Sequence, residues 1–197
     1  MEKDIFDKRK IDVLAKKDKS NIGKIDLKIG NLVNLINSSD NFYTTSSCSG
    51  RIVIFKNSNN YKKNCEFLYT SHKKILKKDI LKILDLIDKC YVEDDFEIWL
   101  KFEPIIIHVS CDSLLNAKKL INLANLSGFR RAGIIALKNS IVVEIVGTEF
   151  LETILKDNFG KYYDEKIFTR LIYYSNKKMQ VNFEKIKRFE KNFKLKK

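Results

Sequence analysis

The sequence predicts an α+β fold, a single domain over residues 1–197 in which a mixed β-sheet is flanked by helices. Short apolar runs typical of strands alternate with longer segments whose apolar residues recur every three or four positions. Their order is strand–strand–helix–strand–strand–helix–strand–strand, which also suggests a weak internal duplication. The sequence contains neither a Gly-x-Gly-x-x-Gly motif nor a Gly-x-x-x-x-Gly-Lys-Ser/Thr motif. We therefore do not expect a Rossmann-type nucleotide-binding scaffold.

Two helices are predicted before residue 40. Residues 4–19 form a basic segment with a narrow apolar seam, and Gly23 lies in the break that follows it. The next segment has apolar residues at the spacing of one helix face, and it ends at Asn37. These apolar residues are Ile25, Ile29, Leu32, Val33 and Ile36.

Strands and two further helices are predicted in the middle of the chain. A short extended stretch covers residues 42–46, and the strands cover residues 51–56, 66–70, 96–102, 105–109, 134–137 and 141–146. Pro104 separates two of them, because proline disfavours the middle of a central strand. Helices are expected around residues 80–87 and 114–124, and Gly128 is the expected C-terminal cap of the second one.

A basic helix is predicted over about residues 165–194. Residues 177–197 contain nine Lys or Arg against two Glu, which is +7 of the chain's net charge of +13. This concentration of charge favours a polyanion such as a nucleic acid, through phosphate neutralisation and counterion release. The same pattern also fits a solvated helix face in a lysine-rich chain.

Composition limits the cellular context and the chemistry. The four cysteines lie far apart without a Cys-x-x-Cys pair, so we expect free thiols and no metal site. No apolar run has the length of a membrane span, and the amino terminus lacks an apolar signal region. These features predict a cytoplasmic protein without a membrane partner.

The segment 43–51, Tyr-Thr-Thr-Ser-Ser-Cys-Ser-Gly-Arg, carries the most specific local signal. Small hydroxyl groups lie between two predicted strands, Gly50 permits a tight turn, and Arg51 follows directly. Such a loop can direct N–H groups and hydroxyls towards an anion, with Arg51 as a bidentate donor. The alternative is a turn whose Ser and Thr side chains bond to their own backbone. A nucleophilic role for Cys48 requires an activating base, which the sequence does not identify.

Histidines and one charged pair are the other candidates. His72 ends a predicted strand, whereas His108 lies inside an apolar run, where a lone histidine is more often an interior group than a catalyst. Lys101 and Glu103 are two residues apart, so they share one face of an extended strand. That face either binds a ligand or forms a salt bridge.

Residues 42–51 resemble the signature of the tRNA wybutosine-synthesising methyltransferase family, the third protein of that pathway. Further matches follow in order at Leu68-x-x-x-His72, at 100–104 with His108-Val109-x-Cys111, at 127–130, and at Lys185-x-x-Arg188-Phe189. The set spans residues 25–190 without a large insertion. The sequence departs from the pattern at Phe67, where tryptophan is frequent, and at Ala132 and Gly147, where serine is frequent.

The resemblance implies a mixed sheet with flanking helices, outside the common methyltransferase folds. It also implies S-adenosylmethionine as cofactor and methylation of the N4 nitrogen of a tricyclic imidazopurine (demethylwyosine-type) base in wyosine and wybutosine biosynthesis. This base lies next to the anticodon of tRNA-Phe, so the anticodon arm is the expected partner.

We assign residue roles within that reaction as hypotheses. The candidate proton acceptors are Glu103, His72 and His108. The loop would bind the amino-acid end of the cofactor, and Arg51 or Lys101 would instead pair with the acidic side chain of the tRNA precursor. The cofactor- and substrate-binding candidates are Ser46, Ser47, Cys48, Ser49, Gly50, Arg51, Lys101 and Arg130. The tRNA-binding candidates are Lys185, Lys187 and Arg188.

Two other functions are compatible with parts of the sequence. A non-catalytic tRNA-binding module explains the basic helix and requires no cofactor. A hydrolase would use Ser47 or Cys48 with His72, but the sequence shows no third group to orient that histidine and no nucleophile-elbow pattern.

Overall fold

A computed structural model of the chain describes residues 3–15, 26–58, 65–90 and 96–195. The described helices are α1 (Lys3–Leu14), α2 (Gly30–Asn37), α3 (Lys77–Lys89), α4 (Leu114–Leu126) and α5 (Glu165–Lys194). The strands are β1 (Phe42–Cys48), β2 (Arg51–Ser58), β3 (Glu66–Ser71), β4 (Phe96–Glu103), β5 (Ile106–Cys111), β6 (Arg131–Ala136), β7 (Ile141–Val146) and β8 (Leu151–Lys156). Residues 16–19 of the predicted first helix, Gly23 and Ile25 lie outside the described residues.

The α+β class is confirmed, but the strands form two antiparallel sheets where one mixed sheet was expected. One sheet has the order β1-β5-β7-β6 and the other β3-β2-β4-β8. Every strand pair between described residues is antiparallel. Apolar periodicity predicts that a strand exists, whereas its partner is chosen by packing of distant segments. The sequence pattern therefore could not assign the strands to their sheets.

The chain forms two compact units. The first comprises residues 1–49, 104–148 and 182–197, and contains the sheet β1-β5-β7-β6. One face of this sheet is buried with residues from α2, α4 and the end of α5, including Leu32, Leu120 and Phe189. At the other face α1 packs on β1, where the rings of Phe6 and Tyr43 have centroids 5.1 Å apart.

The second unit comprises residues 50–103 and 149–181, with the sheet β3-β2-β4-β8. Ile52 and Ile54 alternate along β2, and Leu100 and Phe102 along β4, so these four buried side chains share one face. Buried residues of α3 and of the first half of α5 complete its apolar interior. The opposite face carries charged and aromatic side chains.

The two sheets do not repeat one topology. In the first unit α4 precedes the edge strand β6, whereas in the second unit α3 follows the edge strand β3. The strand–strand–helix–strand–strand order recurs in both units, but the internal duplication suggested by the sequence does not extend to the pairing order of the strands.

The predicted helix ends agree with the observed ones at two informative positions. The basic C-terminal helix expected at about residues 165–194 is α5. Gly128 follows α4 with φ of 99°, a left-handed conformation that glycine adopts without steric cost, and this confirms its predicted capping position. Among the described helices none is long and apolar enough to cross a membrane.

Candidate active site

The serine-rich segment forms the end of β1 and the link to β2. Gly50 has φ of 96°, so the chain turns here through a left-handed conformation that other residues adopt only with strain. Ser49 is buried, and its hydroxyl donates to the Asp26 carboxylate. Because Asp26 lies 23 residues earlier, this hydroxyl stabilises a tertiary contact, in contrast to the local self-capping turn that the sequence also allowed.

A buried asparagine of α5 fixes the same link. The Asn182 side chain donates from Nδ2 to the Ser49 carbonyl at 2.7 Å, and its Oδ1 accepts from the Ile105 N–H at 2.9 Å. Both backbone groups are buried, so water could not replace the amide as their partner. Asn182 therefore positions the residue that ends the serine segment.

Three polar side chains on adjacent strands form the Ser46–His108–Glu144 relay. Ser46 lies opposite His108, and His108 opposite Glu144, in the register of β1, β5 and β7. Ser46 Oγ is 2.9 Å from His108 Nδ1, and His108 Nε2 is 2.9 Å from Glu144 Oε2. The side chains of His108 and Glu144 are 28% and 34% exposed, and Ser46 is exposed, so a substrate can reach the hydroxyl.

The partners of His108 define its tautomer. An ionised carboxylate only accepts hydrogen bonds, so in the neutral imidazole this network assigns to Nε2 the proton that is shared with Glu144. Nδ1 is then an acceptor, and the Ser46 hydroxyl donates to it. The serine oxygen is left with lone pairs that can take up a proton from a bound substrate, which makes the relay a general-base device.

A second cluster lies on one face of the sheet in the second unit. Arg51 Nε donates to Glu103 Oε2 at 2.6 Å, and Lys101 Nζ is 2.6 Å from Glu152 Oε1. Arg51 stands opposite Glu103 in the register of β2 and β4, and Lys101 opposite Glu152 in that of β4 and β8. Lys101 and Glu103 therefore do not pair with one another, and each forms an ion pair with a residue of a neighbouring strand.

Aromatic rings border these ion pairs. Phe67, Phe55 and Trp99 stand opposite one another on β3, β2 and β4. The Arg51 guanidinium lies 5.2 Å from the Phe67 centroid, and the Lys101 ammonium lies 5.0 Å from that of Phe55 and 5.9 Å from that of Trp99. These contacts restrain both cations on the sheet face.

The other predicted catalytic groups have different surroundings. His72 Nδ1 is 3.2 Å from the Gly50 carbonyl, so His72 supports the turn that precedes Arg51. The Glu103 carboxylate is engaged by Arg51. Of the three candidate bases, His108 is the one that the described residues join to both a hydroxyl and a carboxylate.

The remaining predicted site residues lie around these groups or apart from them. Ser47 and Cys48 are half-buried on β1, opposite Ile107 and Ile106. Arg130 is exposed one residue before β6. Lys187 and Arg188 are exposed on α5, whereas Lys185 is half-buried and donates to Thr148 Oγ1 at 3.3 Å.

Cysteine chemistry has little support. Burial, with a contribution from Asp112, raises the pKa of the Cys111 thiol to about 12, so it is neutral at physiological pH. Burial also raises the pKa of the Cys65 thiol, although the cations Lys101 and Arg51 oppose the effect. Within the described residues, no three His, Cys, Asp or Glu side chains are grouped as metal ligands.

Sequence reasoning missed Asp26, Glu144, Glu152 and Asn182. Glu144 had a usable signal, because it is the one carboxylate in the otherwise apolar run Ile141–Val146, just as His108 is the one polar ring in its own strand. Asn182 also had a usable signal, because it lies three residues after Met179 and four before Ile186, on the apolar stripe of the C-terminal helix.

Comparison with known proteins gives a consistent result. The family model described as Methyltransferase TYW3 matches residues 7–195. A tRNA wybutosine-synthesizing protein 3 homolog from Danio rerio is 34% identical over 194 residues, covering 96% of this chain and 74% of that protein. A protein from Archaeoglobus fulgidus, named tRNA(Phe) 7-((3-amino-3-carboxypropyl)-4-demethylwyosine(37)-N(4))-methyltransferase, is 34% identical over 168 residues, covering 85% and 82%.

Solved structures agree with the fold. The PH1069 protein from Pyrococcus horikoshii superposes with a TM-score of 0.86 and 29% identity, covering 97% of each chain. The scaffold is therefore not of the Rossmann type, as the missing glycine motifs predicted. The resemblance found in the serine-rich segment is confirmed over nearly the whole sequence, and the chain belongs to the Methyltransferase TYW3 family.

Proposed function

We propose that this chain transfers a methyl group from S-adenosylmethionine to the N4 nitrogen of a tricyclic demethylwyosine-type base next to the anticodon of tRNA-Phe. The observation that carries this proposal is the exposed Ser46–His108–Glu144 relay, within the segments that match a methyltransferase family. The name of the Archaeoglobus relative supplies the substrate and the methylated nitrogen. We assign the reaction to the cytoplasm, where tRNA precursors are modified.

The relay supports the proton transfer that this reaction requires. The acceptor nitrogen must lose its proton as its lone pair bonds to the methyl carbon. The Ser46 oxygen is able to accept that proton while its own proton passes to His108 Nδ1. Glu144 stabilises the resulting imidazolium, so no isolated charge develops. S-adenosylmethionine, when bound, supplies an electrophilic methyl group on a sulfonium.

The amino-acid end of such a donor carries an ammonium and a carboxylate. Arg51 and Glu103 present the complementary charges side by side, and Arg51 directly follows the Gly50 turn. A guanidinium has five N–H donors, so its bond to Glu103 through Nε leaves donors in the right geometry for a second carboxylate. The residues present thus fit the donor, with Arg51 for its carboxylate and Glu103 for its ammonium.

Arg51→Ala is expected to raise the dissociation constant for S-adenosylmethionine by roughly 10- to 100-fold, the usual loss for a charge-assisted contact. The melting temperature should change little, because the Arg51 and Glu103 side chains are 33% and 42% exposed and such pairs contribute at most about 1 kcal/mol. Calorimetric titration and thermal unfolding measure the two effects. Lys161→Ala, which breaks the Lys161–Asp88 pair of the same unit, is the matched control. If Arg51→Ala and Lys161→Ala bind S-adenosylmethionine with equal affinity, Arg51 does not contact the donor.

The basic face of α5 is our candidate for the tRNA contact. Replacing Lys185, Lys187 and Arg188 by Gln should weaken tRNA binding and reduce the slope of log K against log salt by about 2–3, because each lost phosphate contact removes close to one released counterion. Filter binding at several salt concentrations measures this slope. The control variant replaces Lys118, Lys119 and Lys138 by Gln. These lysines are exposed in the same unit, so the control loses the same net charge as the α5 variant. An unchanged slope in the α5 variant would argue against this face.

The direct test of function is mass spectrometry of nucleosides from tRNA-Phe that carries the unmethylated tricyclic base. Incubation with the protein and S-adenosylmethionine should add one methyl group to that nucleoside, and omission of either should not. A non-catalytic tRNA-binding module predicts retention of tRNA without methylation and without heat on titrating S-adenosylmethionine. That result would replace the present proposal.

A further inference from the structure

We infer that Lys101 and Glu152 bind the 3-amino-3-carboxypropyl side chain of the substrate base and thereby select tRNA that carries it. This inference rests on the proposed function, which supplies the base. It goes further because it assigns the recognition of one substrate group to two named side chains. One of them, Glu152, belongs to none of the motifs described in the sequence.

Two ion pairs with equal N–O distances lie on one face of the second sheet. Arg51 contacts Glu103 and Lys101 contacts Glu152, each at 2.6 Å. Lys101 and Glu103 are two residues apart on β4, so the pairs are separated by about 7 Å along the strand. Cation and anion alternate across this face, forming two adjacent dipolar sites.

The chemistry of the reaction contains two matching groups. A 3-amino-3-carboxypropyl group carries one ammonium and one carboxylate, and its complement is a cation beside an anion. The substrate named for the Archaeoglobus relative has this group, and the methyl donor ends in the same one. The Arg51–Glu103 pair follows the Gly50 turn and is assigned to the donor. The Lys101–Glu152 pair is then left for the substrate.

Structural stabilisation alone is a weak explanation for the second pair. The side chains of Lys101 and Glu152 are 30% and 52% exposed, and ion pairs at such positions contribute little to folding. The Lys101 ammonium is nevertheless held over the rings of Phe55 and Trp99, and Trp99 is itself fixed by a 2.7 Å hydrogen bond from Nε1 to Glu97. A cation that is restrained in this way loses little entropy on binding a carboxylate.

The test compares two forms of tRNA-Phe, one whose tricyclic base carries the side chain and one whose base lacks it. The quantity measured is kcat/KM for the tRNA whose base carries the side chain, divided by kcat/KM for the tRNA whose base lacks it. Lys101→Met and Glu152→Gln are each expected to lower this ratio by roughly 10- to 100-fold, the loss typical of one charge-assisted contact. Lys161→Met removes an ion pair of similar exposure in the same unit and should leave the ratio unchanged.

The outcomes separate this inference from the function on which it rests. If the wild-type protein methylates the two tRNAs equally well, or if both variants keep the wild-type ratio, the assignment of Lys101 and Glu152 is wrong while the methyltransferase function stands. If the wild-type protein methylates neither tRNA, the proposed function itself fails. Thermal unfolding of each variant verifies that the compared proteins are folded.

Discussion

Replacing His108 by alanine is expected to lower kcat for methyl transfer by roughly 10²–10⁴-fold, the range that general-base catalysis contributes. The reason is geometric: His108 is joined to Ser46 and to Glu144 by 2.9 Å contacts, so its loss leaves the hydroxyl without a proton acceptor. Affinities for the methyl donor and for tRNA should stay close to wild type. Single-turnover kinetics at saturating concentrations of both substrates isolate the chemical step.

A chemical role and a structural role for this histidine are separable. Ser46→Ala should reproduce most of the loss, and the Ser46→Ala/His108→Ala double variant should be no slower than the slower single variant, because members of one relay act as a unit. Thr45→Ala is the matched control, since Thr45 lies beside Ser46 and its hydroxyl donates to the backbone carbonyl of His108 rather than to the ring. Additive losses in the double variant would show that Ser46 and His108 act independently.

Substitution of Glu144 tests whether the relay depends on the negative charge of its carboxylate. Glutamine keeps the size of the side chain but removes the negative charge that stabilises an imidazolium, so Glu144→Gln should lower kcat less than His108→Ala does.

The Glu144 carboxylate could have been identified from the sequence, because a single charge in a buried strand requires a partner. Its partner, His108, shows the same anomaly in β5, yet nothing in the two strands reveals that they are neighbours.

In the fold, too, local features could be predicted from the sequence, whereas contacts between distant segments could not. The positions of α4, α5 and most strands follow from periodicity and punctuation, because these are local properties of the chain. β1 and β2 are joined by only Ser49 and Gly50, a link typical of paired strands, yet they belong to different sheets. Ser49, which ends the first unit's part of this link, is held by hydrogen bonds with Asp26 and Asn182, residues that are distant in sequence. Asn182 is marked in the sequence only as a polar residue on the apolar stripe of α5, and that signal does not identify Ser49 as its partner.

Asn182→Leu is the substitution from which we expect the largest loss of stability. The variant leaves the buried N–H of Ile105 and the buried carbonyl of Ser49 without their partner, at about 1–3 kcal/mol for each group. The sum of about 2–6 kcal/mol is a large part of a typical domain's 5–15 kcal/mol. At about 2–4 °C per kcal/mol for a chain of this size, the melting temperature should fall by roughly 4–24 °C.

Asn176 of the same helix provides the control for this prediction. It also bonds a backbone N–H and a backbone carbonyl, both of Ile75, at 2.9 Å, but it is only half-buried. Ile75 is buried, but the Asn176 position is partly open to solvent and the Asn182 position is not, so Asn176→Leu should destabilise the protein less than Asn182→Leu. Calorimetric unfolding measures both. Equal losses would mean that the two amides act through packing in α5, and the Ser49 link would then owe its conformation to Asp26 and Gly50 alone.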